Sequence, residues 1–137
     1  MATSPVLFAL VAMLAWGLWA VLADVATQST SPTVAMIVSY LVGTTLAGVY
    51  VLTRPDPVTY TRDGLLLAVA AGVFSGIAAV AFYAGLERGS TGVVTTVSAL
   101  YFVVAAALGV VLFDEPVTLQ RLGGVGFAVV AVALLAN

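Results

Sequence analysis

The sequence predicts an all-α membrane protein, a polytopic bundle of five transmembrane helices, and three observations carry that reading. Hydrophobic residues make up 63% of the chain and charged residues 7%, whereas a soluble domain runs at roughly 45–50% and about 25%. Charges and prolines are gathered into short clusters, which leave five apolar stretches between them. Each stretch is close to the roughly 20 residues that cross a hydrocarbon core. The stretches are also too long for barrel strands and show no period-two alternation, so their backbone groups must be satisfied within helices. Ten charges on 137 residues cannot clothe a globule in water. The composition excludes a soluble domain, a disordered chain and a nucleic-acid binder.

The first span is expected over residues 5–23, opened by Ser4-Pro5 and closed by Asp24. It lacks the basic start of a signal peptide and its apolar part is too long for one, so it reads as a retained span. The second span, 32–53, opens with Ser31-Pro32 and ends at Arg54-Pro55-Asp56-Pro57. A hydroxyl followed by proline suits a helix start, because the side chain caps and the proline lacks only an N–H that has no partner there anyway. The third span, 64–86, ends at Glu87-Arg88-Gly89, where Gly89 suits a left-handed residue. The fourth, 91–113, is capped by Ser90 and stopped by Asp114-Glu115-Pro116. The fifth, 119–136, starts after Thr118. One domain over residues 1–137 follows, with nothing between the spans long enough to fold alone.

Orientation is read from the cations, all of which are Arg. Arg54, Arg62 and Arg121 fall on the side of the N-terminus and Arg88 on the other. Positive charge is retained on the cytoplasmic side, so the N-terminus is expected inside a cytoplasmic membrane. The excess is small enough for insertion in both senses.

Lipid gives helices no hydrophobic reason to associate, so small residues four apart mark the packing seams. Ala68, Gly72 and Gly76 form such a ridge on the third span, and Ser39, Gly43 and Ala47 on the second. Trp16 and Trp19 are three apart and share a face of the first span. Ser75 and Tyr83 lie on the third. Thr95, Ser98 and Tyr101 run along one face of the fourth. Taken singly, each hydroxyl bonds back to its own helix and each aromatic packs between helices. Taken together, they suit a solvated, mostly neutral cavity. No carboxylate stands at mid-depth, where proton carriers usually sit. The acids stand at span ends, where Glu87 with Arg88 and Asp114 with Glu115 are candidates for gating or interface contacts. With no Cys, no His and no Lys, there is no nucleophile–base pair, metal-ligand cluster or phosphate loop. An enzyme, a metal site and a cofactor are therefore not expected.

Three runs taken together resemble the EamA domain of the drug/metabolite transporter superfamily. They are Ala81 to Thr91 (AFYAGLERGST), Val97 to Tyr101 (VSALY) and Leu112 to Gly124 (LFDEPVTLQRLGG), and the Trp16-Gly17 pair fits the same pattern. The resemblance spans essentially the whole chain and is similar to the short five-helix branch of bacteria and archaea. It implies one of two inverted repeats that together make a transporter, and so an antiparallel homodimer or pairing with an oppositely oriented relative. Family members often carry a proline after the Leu-Tyr pair; this chain has Phe102, which removes the usual cause of a kink there.

The expectation is therefore a transporter half-unit that moves a small organic metabolite across the lipid bilayer. Its path would run between the first, third and fourth spans of both copies. Trp16, Trp19, Ser75 and Tyr83 would shape it, and Thr95, Ser98 and Tyr101 would offer hydrogen bonds. A non-transporting helical subunit and a lipid-carrier flippase are the alternatives.

Overall fold

The computed structural model describes residues 4–135. They form α1 (Pro5–Thr27), α2 (Pro32–Leu52), α3 (Arg62–Leu86), α4 (Thr91–Ala99), α5 (Tyr101–Phe113) and α6 (Leu119–Leu135), with no strand among them. This is the all-helical architecture the sequence predicts. Residue 136, the expected end of the fifth span, lies outside the described residues.

Helix starts follow the expected chemistry at most sites. Ser4 Oγ accepts from the Val6 N–H at 3.3 Å, Ser90 Oγ from Val93 at 3.4 Å, and Thr118 Oγ1 from Arg121 at 3.2 Å. Thr61 Oγ1 accepts from Gly64 at 3.1 Å, which starts α3 at Arg62, two residues before the expected boundary. Asp63 in that first turn suits the positive end of the helix dipole. Two expectations need correction. Ser31 makes no capping bond although Pro32 follows it. No described glycine has positive φ, so α3 does not end on a left-handed Gly89; Glu87 and Arg88 close it with N–H bonds to Tyr83 and Gly85. In addition, α1 runs past Asp24 to Thr27.

The chain divides into two compact units, one up to Arg88 and one from Gly89 onward. In the first, α1, α2 and α3 each touch the other two. Its buried side chains are Ala20, Ala23, Ala79, Tyr83 and Leu86. All five lie at the end where α1 finishes, α2 begins and α3 finishes. Small residues on α1 and α3 allow close approach there, and one large ring, Tyr83, fills the space between them. The expected ridge above this cluster is unused: a Cβ at Gly72 or Gly76 would meet nothing within 4 Å.

In the second unit α4 packs against α6. The expected fourth span is interrupted at Leu100. The Leu100 N–H bonds to the Val97 carbonyl at 3.1 Å, and the Val103 N–H bonds to the Leu100 carbonyl at 2.8 Å. Both bonds span three residues rather than four, a local tightening that brings side chains three apart into line. The irregularity sits two residues before Phe102 and needs no proline.

The other end of α5 is held by a compact turn. Asp114 adopts the left-handed conformation at φ 51°, and the Glu115 N–H turns back to the Gly109 carbonyl at 3.4 Å. The Glu115 carboxylate then lies over Gly109 and accepts from Arg121 of α6 at 2.8 Å. A left-handed residue with a Cβ is disfavoured relative to glycine. Asp114→Gly is therefore expected to raise stability by about 1 kcal/mol, the lower end of the left-handed penalty because Asp tolerates this region better than most residues, seen as a higher unfolding midpoint in detergent micelles.

Candidate functional site

The aromatic residues of the first unit come together through helix register. Trp19 and Phe82 each stand five residues before the acid expected to close their span, Asp24 and Glu87. Because α1 and α3 are separated by one helix and run in the same sense, similar offsets bring the two rings to a common level. The two rings stack with centroids 5.1 Å apart at an interplanar angle of 24°. Tyr83 meets both edge-on, at 6.0 Å from Trp19 and 6.2 Å from Phe82. The Trp19 indole N–H donates to Ser39 Oγ on α2 at 2.9 Å. One residue thus ties α1 to both of its neighbours.

This cluster borders a cleft of about 560 Å³ formed by α1, α2 and α3, with Trp19, Leu22, Ser39, Val42, Leu46 and Tyr83 on its walls. A smaller recess of about 180 Å³ lies between the start of α2 and the end of α3, lined by Pro32, Thr33, Met36, Val80, Ala84 and Glu87. Tyr83 walls both. The residue is 2% exposed, and its hydroxyl has no hydrogen-bond partner among the described residues.

Of the residues singled out from sequence, Trp19 and Tyr83 are brought together. Trp16 is not: it is 60% exposed. It shares a face with the buried Ala20 and Ala23, four and seven residues on, but lies one turn before the end of α1 to which the packing is confined. Ser75 is exposed on α3 and borders neither the cleft nor the recess. On α4 the Thr95 hydroxyl bonds to the carbonyls of its own helix at Thr91 and Gly92, which leaves less of it for a solute. Ser98 and Tyr101 are exposed and make no side-chain hydrogen bond. Glu87 pairs only with its neighbour Arg88, at 3.5 Å with both side chains well exposed. Glu115 pairs with Arg121 rather than with Asp114.

Phe82 was not singled out by the sequence reading, and Ser39 was read there as a seam residue of the second span rather than a cavity residue. The depth register just described is the signal that points to Phe82. Ser39 falls seven residues into α2, at the level Trp19 reaches from the other end of the α1–α2 turn.

Four of these helices, counting Thr91–Phe113 as one, are long and apolar enough to cross a bilayer, and α6 adds 17 described residues. With helices of this length and an apolar surface this extensive, the fold is that of a multi-pass membrane protein. The model of the EamA-like transporter family matches residues 3–137, and the chain belongs to that family. It is thereby a membrane transporter of the drug/metabolite transporter superfamily. No curated protein and no solved structure gives a match.

Proposed function

We propose that the chain is half of a transporter for a small organic metabolite and works as an antiparallel pair in the cytoplasmic membrane, each copy contributing one repeat. The observation that carries this reading is the family match, which runs from residue 3 to 137 and so through both compact units. It supports treating them as one functional domain. Five spans make an odd number, which puts the chain ends on opposite sides, and alternating access needs two oppositely oriented repeats around a shared site. The Arg excess on one side is only two charges, three against one, which leaves room for one sequence to serve both orientations. The open small-residue positions, Gly72 and Gly76 among them, offer surfaces for close pairing. Trp19 and Tyr83 are the proposed cavity residues of the first unit, and Ser98 and Tyr101 the hydrogen-bonding residues of the second.

Two measurements test this. The chain has no cysteine, so single cysteines in the loop between Arg54 and Asp63 can be labelled with an impermeant thiol reagent on cells and on inverted vesicles. Comparable labelling from both sides is expected, whereas strictly one-sided labelling rejects the homodimer. Efflux of a panel of trapped amino acids, sugars and nucleobases from liposomes holding only this chain then tests transport. At least one member is expected to leave faster than from empty liposomes, and Tyr101→Phe and Ser98→Ala to slow it several-fold. Full activity in both variants removes the second-unit assignment, and no efflux of any member favours a non-transporting subunit.

A further inference from the structure

We infer that the cleft between α1, α2 and α3 is a binding site for a neutral solute with an apolar, ring-sized body and one hydrogen-bonding group, which the Tyr83 hydroxyl receives. The inference rests on the transporter reading only for the fate of the bound molecule.

The volume of about 560 Å³ is in the range of small-molecule sites, which are mostly apolar with a few placed polar groups. None of the residues lining the cleft is charged. An ion entering it at membrane depth would lose its hydration without gaining a counter-charge. The indole N–H of Trp19 is already engaged by Ser39. The Tyr83 hydroxyl is not engaged at all, although its residue is 2% exposed. No buried polar side-chain atom among the described residues is both sealed off and unpartnered, so this hydroxyl keeps access to one of the two spaces that Tyr83 walls. An unpaired phenol in apolar surroundings is unfavourable, and a ligand that hydrogen-bonds to it removes that penalty. This separates the proposed solute from a lipid acyl chain, which has nothing to offer the hydroxyl. The stacked Trp19 and Phe82 rings beside it favour a flat body over a flexible one. Neither acid close to the lining residues lines the cleft: Asp24 follows Ala23 on α1, and Glu87 borders the smaller recess that Tyr83 also walls.

Four probes that share one nitrobenzyl body test the site by quenching tryptophan fluorescence of the full chain in detergent micelles. 4-Nitrobenzyl alcohol is expected to quench saturably. 4-Nitrobenzylammonium and 4-nitrophenylacetate are expected to quench only linearly. Tyr83→Phe keeps the ring and should weaken the alcohol about two- to tenfold, the range of one hydrogen bond, while leaving 4-nitrotoluene unchanged. Gly43→Phe enters the cleft from α2, where a Cβ meets nothing within 4 Å, and should abolish saturation. Equal binding of the alcohol by Tyr83→Phe overturns the proposal, as does linear quenching by all four probes. Tighter binding of the ammonium probe overturns it in favour of the Glu87 recess, and displacement of the alcohol by one equivalent of phospholipid in favour of an acyl-chain groove. Quenching is read without flux. Saturable binding with no metabolite efflux therefore rejects the transporter reading alone, and efflux with only linear quenching rejects the site alone.

Discussion

Trp19→Ala is expected to destabilise the first unit by about 3 kcal/mol, the largest single effect in the molecule. The side chain makes two aromatic contacts, each worth about 0.5–1.5 kcal/mol beyond its area. It also makes an interhelical hydrogen bond to Ser39, worth about 0.6–2 kcal/mol in a membrane. Few other contacts share the load, because the buried set of this unit is five side chains and no residue of α2 belongs to it. The midpoint of unfolding in mixed dodecylmaltoside and sodium dodecyl sulfate micelles measures the loss. Trp16→Ala is the internal comparison: its exposed ring should change stability by less than about 0.5 kcal/mol. Similar losses in the two variants would mean that the α1–α2–α3 packing does not depend on Trp19. A double-mutant cycle of Trp19→Phe with Ser39→Ala then isolates the hydrogen bond from the stacking.

Gly109→Leu is expected to destabilise the second unit by about 1–3 kcal/mol, the range for forcing volume into a filled site. A Cβ at residue 109 would lie 3.1 Å from Glu115 Oε2 and 3.3 Å from Cδ. An unrestrained glutamate would swing aside. This one is held from both ends, by its N–H to the Gly109 carbonyl and by its carboxylate to Arg121. The ion pair itself is nearly half exposed on both partners and is worth only about 0–1 kcal/mol. The damage should therefore come from crowding against the tethered Glu115 side chain more than from lost charge pairing. Glu115→Ala alone should cost little, and adding it to Gly109→Leu should recover most of the loss. A double variant as unstable as Gly109→Leu alone would place the crowding elsewhere.

The helices were legible because charges and prolines cannot be hidden in lipid, so their positions mark where spans stop. The same rule misplaces ends where one charged residue reaches water while the backbone continues, as at Asp24, which α1 passes by three residues. Capping hydroxyls were read correctly at Ser4, Ser90 and Thr118. The identical Ser-Pro pair at Ser31 does not cap, and nothing in the structure explains the difference. Within the site, Trp19 and Tyr83 were legible as polar-tipped aromatics at depth. Trp16 shared that description and the face of Ala20 and Ala23, but it lies one turn before the packed end of α1, and periodicity gives a face without saying how far along the helix the packing runs. Thr95 shows the other limit: a threonine in a helix has its own carbonyls within reach, and composition cannot say which partner it takes. The break at Leu100 had no local signal, because neither Pro nor Gly marks it.

The buried cluster of the first unit is confined to one end of its three helices, and this makes the unit a lever. From Ala20 back to Pro5, α1 extends about 22 Å at 1.5 Å per residue. A tilt of about 5° at the cluster would carry the Pro5 end through about 2 Å on that rise, with no buried side chain along the way to resist it. A ring displaced at the fulcrum, next to the cleft, is thus magnified into helix displacement at the opposite face of the membrane.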